Sequence, residues 1–165
     1  MSGGTDPEEK VRQLGFDLLS ARQWAAQDRV EAWVHCYLCS GLGGRTDPEF
    51  SAGLKAAARW WNGPLELPLS ALSPAVGIQP GMEYVVDREY WEKRTEHMAR
   101  TLSSLERLPP LIAEYRAGEL SVRDGNTRHA AMQRLGWQTC WVIIWYNSES
   151  DYCQHYEILF GRKTA

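Results

Sequence analysis

Leu111-Ile-Ala-Glu-Tyr-Arg-Ala-Gly-Glu-Leu-Ser-Val-Arg-Asp-Gly-Asn-Thr-Arg-His-Ala-Ala131 is the stretch on which the reading of this chain turns. Leu111 to Arg116 and Glu119 to Arg123 are two short runs joined by Ala117-Gly118, a length and composition that predict a tight hairpin. The second run ends at Asp124-Gly125, and a helix is expected from about Asn126, with Ala130, Ala131, Met132 and Leu135 as its apolar face. Gly136 is the natural stop for that helix. Beyond it, Trp141-Val-Ile-Ile-Trp145 is a continuous apolar run of the kind a buried strand requires. Strand, strand, helix and buried strand together predict an α+β fold.

Working outward toward the N-terminus, Val30, Trp33, Val34, Tyr37 and Leu38 recur at helical spacing, which predicts one amphipathic helix over about 21–40, stopped by Gly41-Leu-Gly-Gly44. A shorter helix is expected before it, from Pro7 to about Leu19. Asp47-Pro48 reads as an N-cap followed by proline at the first helical position. Phe50, Leu54, Ala57, Ala58 and Trp61 carry that helix to Asn62-Gly63-Pro64. Residues 1–63 are therefore expected to be an N-terminal helical extension, and residues 64–165 the domain that carries the site. Leu65, Leu67 and Leu69 alternate with Glu66 and Pro68, the pattern of a half-buried edge strand. A turn-rich segment, Ser73 to Gly81, follows it, then a short strand at Tyr84-Val85-Val86. A helix from about Arg88 to Leu105 is expected to face Trp91, Met98, Leu102 and Leu105 inward, and Pro109-Pro110 closes it.

Composition narrows the function classes. The 165 residues suit one compact body, with 44% hydrophobic and 24% charged residues, so the chain is no disordered segment. A formal net charge of -3 argues against a nucleic-acid binder. No run approaches the roughly 18–20 apolar residues of a membrane span. The start, Met1-Ser-Gly-Gly-Thr-Asp-Pro-Glu-Glu9, lacks the basic and then apolar layout of a signal peptide, so a cytoplasmic location is expected. Four cysteines without an export signal are expected to stay reduced.

The chemistry concentrates at Asp124-Gly125. A strand that ends there, with a helix starting at Asn126, directs unpaired amide N–H groups and the positive end of the helix dipole into one small space. Gly125 leaves that space open, and Arg128 in the first helical turn offers a planar, permanently charged fork to an anion. Arg123 and His129 stand beside it as further sources of positive charge.

With these residues in view, Leu65 to about Asn147 resembles the ParB N-terminal/sulfiredoxin-like superfamily. The shared order is a Leu-Glu-Leu-Pro-Leu-Ser-Ala-Leu-Ser-Pro opening, a helix, a short strand pair, Gly-x-x-Arg-x-x-Ala, then Leu-Gly and an apolar strand. Gly125, Arg128 and Ala131 fill the motif, and the likeness covers about half the chain. It implies that the turn, including Asn126 and Thr127, contacts nucleotide phosphates, since members bind CTP or use ATP. The Asp-Gly-Asn-Thr-Arg spelling is most similar to the Asp-Gly-His-His-Arg of free-serine kinases, with Asn126 and Thr127 in place of both histidines. Sulfiredoxins carry their catalytic cysteine where Asn126 stands, which sets that reaction aside. Fewer than twenty residues follow the last expected strand, so a DNA-reading partition role is not expected. A Gln-Pro-Arg element is only partly matched, by Gln79-Pro80-Gly81, and the kinases' catalytic glutamate has no aligned counterpart.

The resemblance thus implies binding of a nucleotide (ATP, ADP or CTP) with Mg²⁺, and extends to phosphotransfer onto a small-molecule acceptor. Such a reaction needs a phosphoryl clamp, Mg²⁺ and a carboxylate to orient the acceptor. Arg128 and the turn would be the clamp. Asp124 is the candidate base or Mg²⁺ ligand, with Glu83 and Asp87 as further carboxylate candidates. The alternatives are a non-catalytic nucleotide-sensing or protein-interaction module, with a partner protein or second copy meeting the helical extension, and a nucleic-acid binder or nuclease. Other signals read as structural. His35-Cys36-Tyr-Leu-Cys39 lacks the second ligand pair of a zinc site. Gly41-Leu-Gly-Gly44 lacks the Lys-Ser/Thr ending of a phosphate loop. His97, spaced from Arg94 and Arg100, reads as solvated, and Trp60-Trp61 as a bolt between the helical extension and the sheet.

Overall fold

The computed structural model describes residues 15–40, 46–102 and 104–161. The expected helix start at Pro7 and the Gly41–Gly44 stop lie outside these residues. Instead of one helix over 21–40 there are two, α1 (Leu18–Ala25) and α2 (Val30–Ser40). Asp17 accepts from the Ser20 amide at 2.9 Å and the Ser20 hydroxyl accepts in return from the Asp17 amide, a capping box that starts α1 early. The helix breaks where Asp28 takes a positive φ of 56° and the Arg29 amide turns back to the Trp24 carbonyl. The Arg29 guanidinium then sits 4.9 Å over the Trp24 ring, fixing the angle between the two helices.

Asp47 caps α3 (Pro48–Lys55) as its sequence predicts, accepting from the Phe50 amide at 3.1 Å. The helix does not reach Trp61. Its place is taken by β1 (Trp60–Pro68), because Trp60, Trp61 and Asn62 pair with Tyr146, Trp145 and Ile144 of β7 (Thr139–Tyr146). At the register shift after Asn62, Gly63 has a φ of +116°. A Cβ there would stand 2.6 Å from the Val142 carbonyl oxygen, so only glycine lets the two backbones approach. β1 runs through positions 63 and 64.

The remaining elements are β2 (Leu72–Pro74), β3 (Val76–Gly77), β4 (Tyr84–Val85), α4 (Arg88–Thr101), β5 (Leu111–Arg116), β6 (Glu119–Asp124), α5 (Asn126–Arg134) and α6 (Glu149–Phe160). The hairpin β5–β6 turns on Ala117 and Gly118, both at positive φ, the twist that a two-residue hairpin favours. Helix α6 has no counterpart in the sequence reading; the Ser148 hydroxyl caps it by accepting from the Asp151 amide. Leu135 follows α5 as an exposed cap residue and adds nothing to its apolar face. Among the described residues no helix is long and apolar enough to cross a membrane.

The protein is α+β. Its main sheet has the order β1-β7-β5-β6-β2, with β5 and β7 parallel at the centre, β1 antiparallel at one edge and β2 parallel at the other. Pro64 and Pro68 are tolerated because β1 is an edge strand. Both faces of the sheet are covered, which accounts for the unbroken apolar runs of β5 and β7. Ile112, Ile143 and Trp145 face α1, α2 and α3, where Trp33 is fully buried and donates its indole N–H to Ser20. Leu111, Ala113, Val142 and Ile144 point the other way, toward Met132 of α5 and Tyr152 of α6. Burying one indole such as Trp33 contributes about 4–6 kcal/mol of gross transfer free energy.

Candidate functional site

β6 delivers Asp124 to a turn in which Gly125 has φ 95° and ψ 22°, and α5 begins at Asn126. No side chain caps this nine-residue helix, so the amides of Asn126, Thr127 and Arg128 have no intrahelical acceptor. The missing Cβ of Gly125 does not face a ligand. It would lie 2.4 Å from Leu111 Cδ2 and 2.8 Å from Arg128 Nη2, so glycine makes room for the arginine.

Arg128 is buried, with its guanidinium turned inward. Nη2 donates to Asp124 Oδ2 at 2.9 Å and to the Tyr37 hydroxyl at 3.1 Å, and Nη1 donates to the Pro109 carbonyl. The Tyr37 hydroxyl in turn donates to Asp124 Oδ2 at 3.0 Å. Burial pushes the Tyr37 phenol well above its ordinary pKa, with Arg128 opposing, so the group stays an O–H donor. α2 therefore reaches the turn through one hydroxyl, a contact no spacing in the sequence announces.

Asn126 is committed to the fold. Its Oδ1 accepts from the Ala75 and Val76 amides at 2.9 and 3.2 Å, and its Nδ2 donates to the Val122 carbonyl. Thr127 Oγ1 accepts from Arg94 Nε of α4 at 3.0 Å. Arg123 lies between Glu83 at 2.6 Å and Glu114 at 3.2 Å. His129 is fully buried; desolvation lowers its pKa against the opposing bond to the Leu69 carbonyl, so the ring is neutral at pH 7 and adds no positive charge. Asp87 caps α4, accepting from the Tyr90 amide at 3.0 Å.

A cleft of about 360 Å³ lies at the turn, within the range of small-molecule sites. One side is the turn from Arg123 to Arg128. Tyr90, Trp91, Arg94 and Met98 of α4 also line it, with Tyr37 and Leu38 of α2 and Asp47, the cap of α3. Of the three candidate carboxylates only Asp124 belongs to this lining; Glu83 is paired with Arg123, and Asp87 caps α4 between the lining residues Val86 and Tyr90. Asp47 and Arg94 are lining residues that the sequence reading did not select. Asp47 had been read only as a cap, and Arg94 only through its spacing to His97.

Among the described residues no group of three or more His, Cys, Asp or Glu side chains is arranged to hold a metal ion. Both hydrogen bonds that Asp124 accepts, from Arg128 and Tyr37, fall on Oδ2. Cys36 is half-buried and Cys39 exposed on α2, and His35 bonds Ser51 at 2.6 Å.

Fold and site define an α+β protein in which a strand-turn-helix, with no side chain capping the helix, borders a cleft. No family model matches the chain, and no curated protein matches it significantly. Among solved structures it is similar to a C-terminally truncated chromosome-partitioning protein ParB from Caulobacter crescentus complexed with CTP-γ-S. That likeness is 19% identity over 63% of this chain and 56% of the other, with a TM-score of 0.37. It is also similar to a Pnob8-like ParB-N domain, at 15% identity over 66% of this chain and 39% of the other, with a TM-score of 0.33. Both neighbours are ParB proteins. The chain spans about half the length of the first and two fifths of the second, and what either binds is a property of that neighbour.

Proposed function

We propose that this protein binds a nucleotide in the cleft, with its phosphates on the amides of Asn126, Thr127 and Arg128. The observation that carries this reading is the uncapped N-terminus of α5 at the floor of the cleft. Val86, Tyr90, Trp91 and Met98 supply apolar and aromatic surface for a base or sugar. The sequence resemblance supports the same class of ligand. Arg94, Arg123 and Arg128 are set against Asp47, Asp124, Glu83 and Glu114, so the neighbourhood offers a polyphosphate no net positive charge. The nucleotide therefore enters as its Mg²⁺ complex, with the ion as part of the substrate.

Phosphotransfer from ATP or ADP to a small-molecule acceptor is the finer reading, supported by two carboxylates, Asp47 and Asp124, that share the cleft with the cradle. Asp124 would orient the acceptor. A sensing role without turnover is favoured by a different observation: Asp124 Oδ2 already accepts from both Arg128 and Tyr37.

A thermal-shift panel of ATP, ADP, CTP and GTP, each with and without Mg²⁺, tests the binding. At a hundred times its Kd a ligand adds about 2.7 kcal/mol, which for a chain of this size raises Tm by about 5–11 °C. No shift with any nucleotide overturns the proposal. Incubation of the productive nucleotide with Asp124→Asn then separates the two finer readings: binding kept and turnover lost supports catalysis by Asp124, whereas no turnover in the unaltered protein supports sensing.

A further inference from the structure

The three arginines that line the cleft are divided by their partners. Arg123 is held between two carboxylates, and Arg128 is held by Asp124, Tyr37 and the Pro109 carbonyl. To reach a phosphate, Arg128 would have to leave Asp124, and a partly buried carboxylate would then face the arriving anion unpaired. Arg94 has no such obligation. Its Nε donates to Thr127 Oγ1 at 3.0 Å and its Nη1 to the Tyr90 hydroxyl at 3.4 Å, both neutral acceptors. Among the described residues it forms no ion pair, and it is exposed. Its partner Thr127 is the second residue of α5, so the guanidinium stands over the first turn of the uncapped helix. Exchanging a neutral hydroxyl for a phosphate oxygen gives Arg94 a shorter and stronger charge-assisted bond.

We infer that Arg94, set in place by Thr127, is the arginine that contacts the ligand's phosphate, and that Arg128 is a positioning residue that holds the turn. The inference rests on the nucleotide-cleft reading and names the group that recognises the anion there. It departs from the expectation drawn from the sequence, in which Arg128 is the clamp. The cation comes instead from α4, more than thirty residues before the motif.

The experiment is isothermal titration of inorganic tripolyphosphate as its Mg²⁺ complex, a probe with phosphates and no base, into the full chain at two ionic strengths. Arg94→Ala is expected to weaken binding at least tenfold while the ligand-free Tm stays unchanged, because the side chain is exposed and buries no partner. Arg94→Lys restores part of the affinity, keeping the charge and losing the fork. Arg128→Lys lowers the ligand-free Tm and leaves the ionic-strength dependence of binding as in the unaltered protein, whereas Arg94→Ala flattens that dependence. Binding by Arg94→Ala within twofold of the unaltered protein overturns the inference and leaves the cleft reading standing. A flattened dependence in Arg128→Lys overturns the division of roles. If the unaltered protein binds neither tripolyphosphate nor any nucleotide, the cleft reading fails and this inference fails with it.

Discussion

Replacing Gly125 with alanine loads the joint on which the site is built, and its cost can be worked out in two parts. At φ 95° an L residue sits in the left-handed region, which costs alanine about 1–2 kcal/mol. The added Cβ would also stand 2.4 Å from Leu111 Cδ2 and 2.8 Å from Arg128 Nη2. Neither neighbour yields easily, since Leu111 is fully buried and Arg128 is tied to three acceptors. Overpacking of this kind costs a further 1–3 kcal/mol or so. Gly125→Ala should therefore lose about 2–5 kcal/mol, a large share of the roughly 5–15 kcal/mol that holds a typical domain together. Gly118→Ala is the control: it has a φ of +82° and nothing within 4 Å of the added Cβ, so it bears the backbone cost alone. Urea unfolding followed by tryptophan fluorescence gives both values, and their difference isolates the crowding at Leu111 and Arg128. If the two variants agree within about 0.5 kcal/mol, an ordinary margin for a surface change, the packing of Arg128 behind the turn is wrong.

Two further outcomes follow from buried polar groups. Tyr37→Phe removes a hydroxyl bonded to two charged partners and should cost about 1.5–3 kcal/mol in the same urea assay; a loss below about 0.5 kcal/mol would show that the bridge does not hold the turn. His35, His129 and His155 all have pKa values lowered from 6.5 by burial. The unfolded chain takes up protons as pH falls through 6.5 and the folded chain resists, so stability declines on acidification and levels off below the lowered folded values. Tm measured from about pH 8 to about pH 5 at constant ionic strength should fall; a flat profile would contradict neutral burial of these rings.

The parts of the fold legible in the sequence are those fixed by neighbours in the chain. The Asp47-Pro48 cap, the Ala117-Gly118 hairpin and the glycine turn at 125 each follow from local backbone preference. The spacing of Trp61 also suits the helix before it, and only pairing with a strand some eighty positions later decides for β1. The break at Asp28 leaves no mark on the sequence pattern, since the apolar stripe continues across it. At the site, the sequence placed the turn and its amides but not the direction of Arg128. That direction depends on Tyr37, Asp124 and Pro109 meeting from three elements. Arg94 carries no local signal, because what distinguishes it is the lack of a carboxylate partner among the described residues.

The helical layer built from Phe16, Trp24 and Trp33 closes against Ile143 and Trp145, residues of the last strand of the main sheet. During synthesis that layer emerges first and must wait on the order of ten seconds for its counterpart, at roughly 5–20 residues per second. Through that interval its tryptophan-rich face is open to other nascent chains and to holding chaperones. The hairpin β5–β6, formed from neighbours, is the first piece of sheet able to offer it cover.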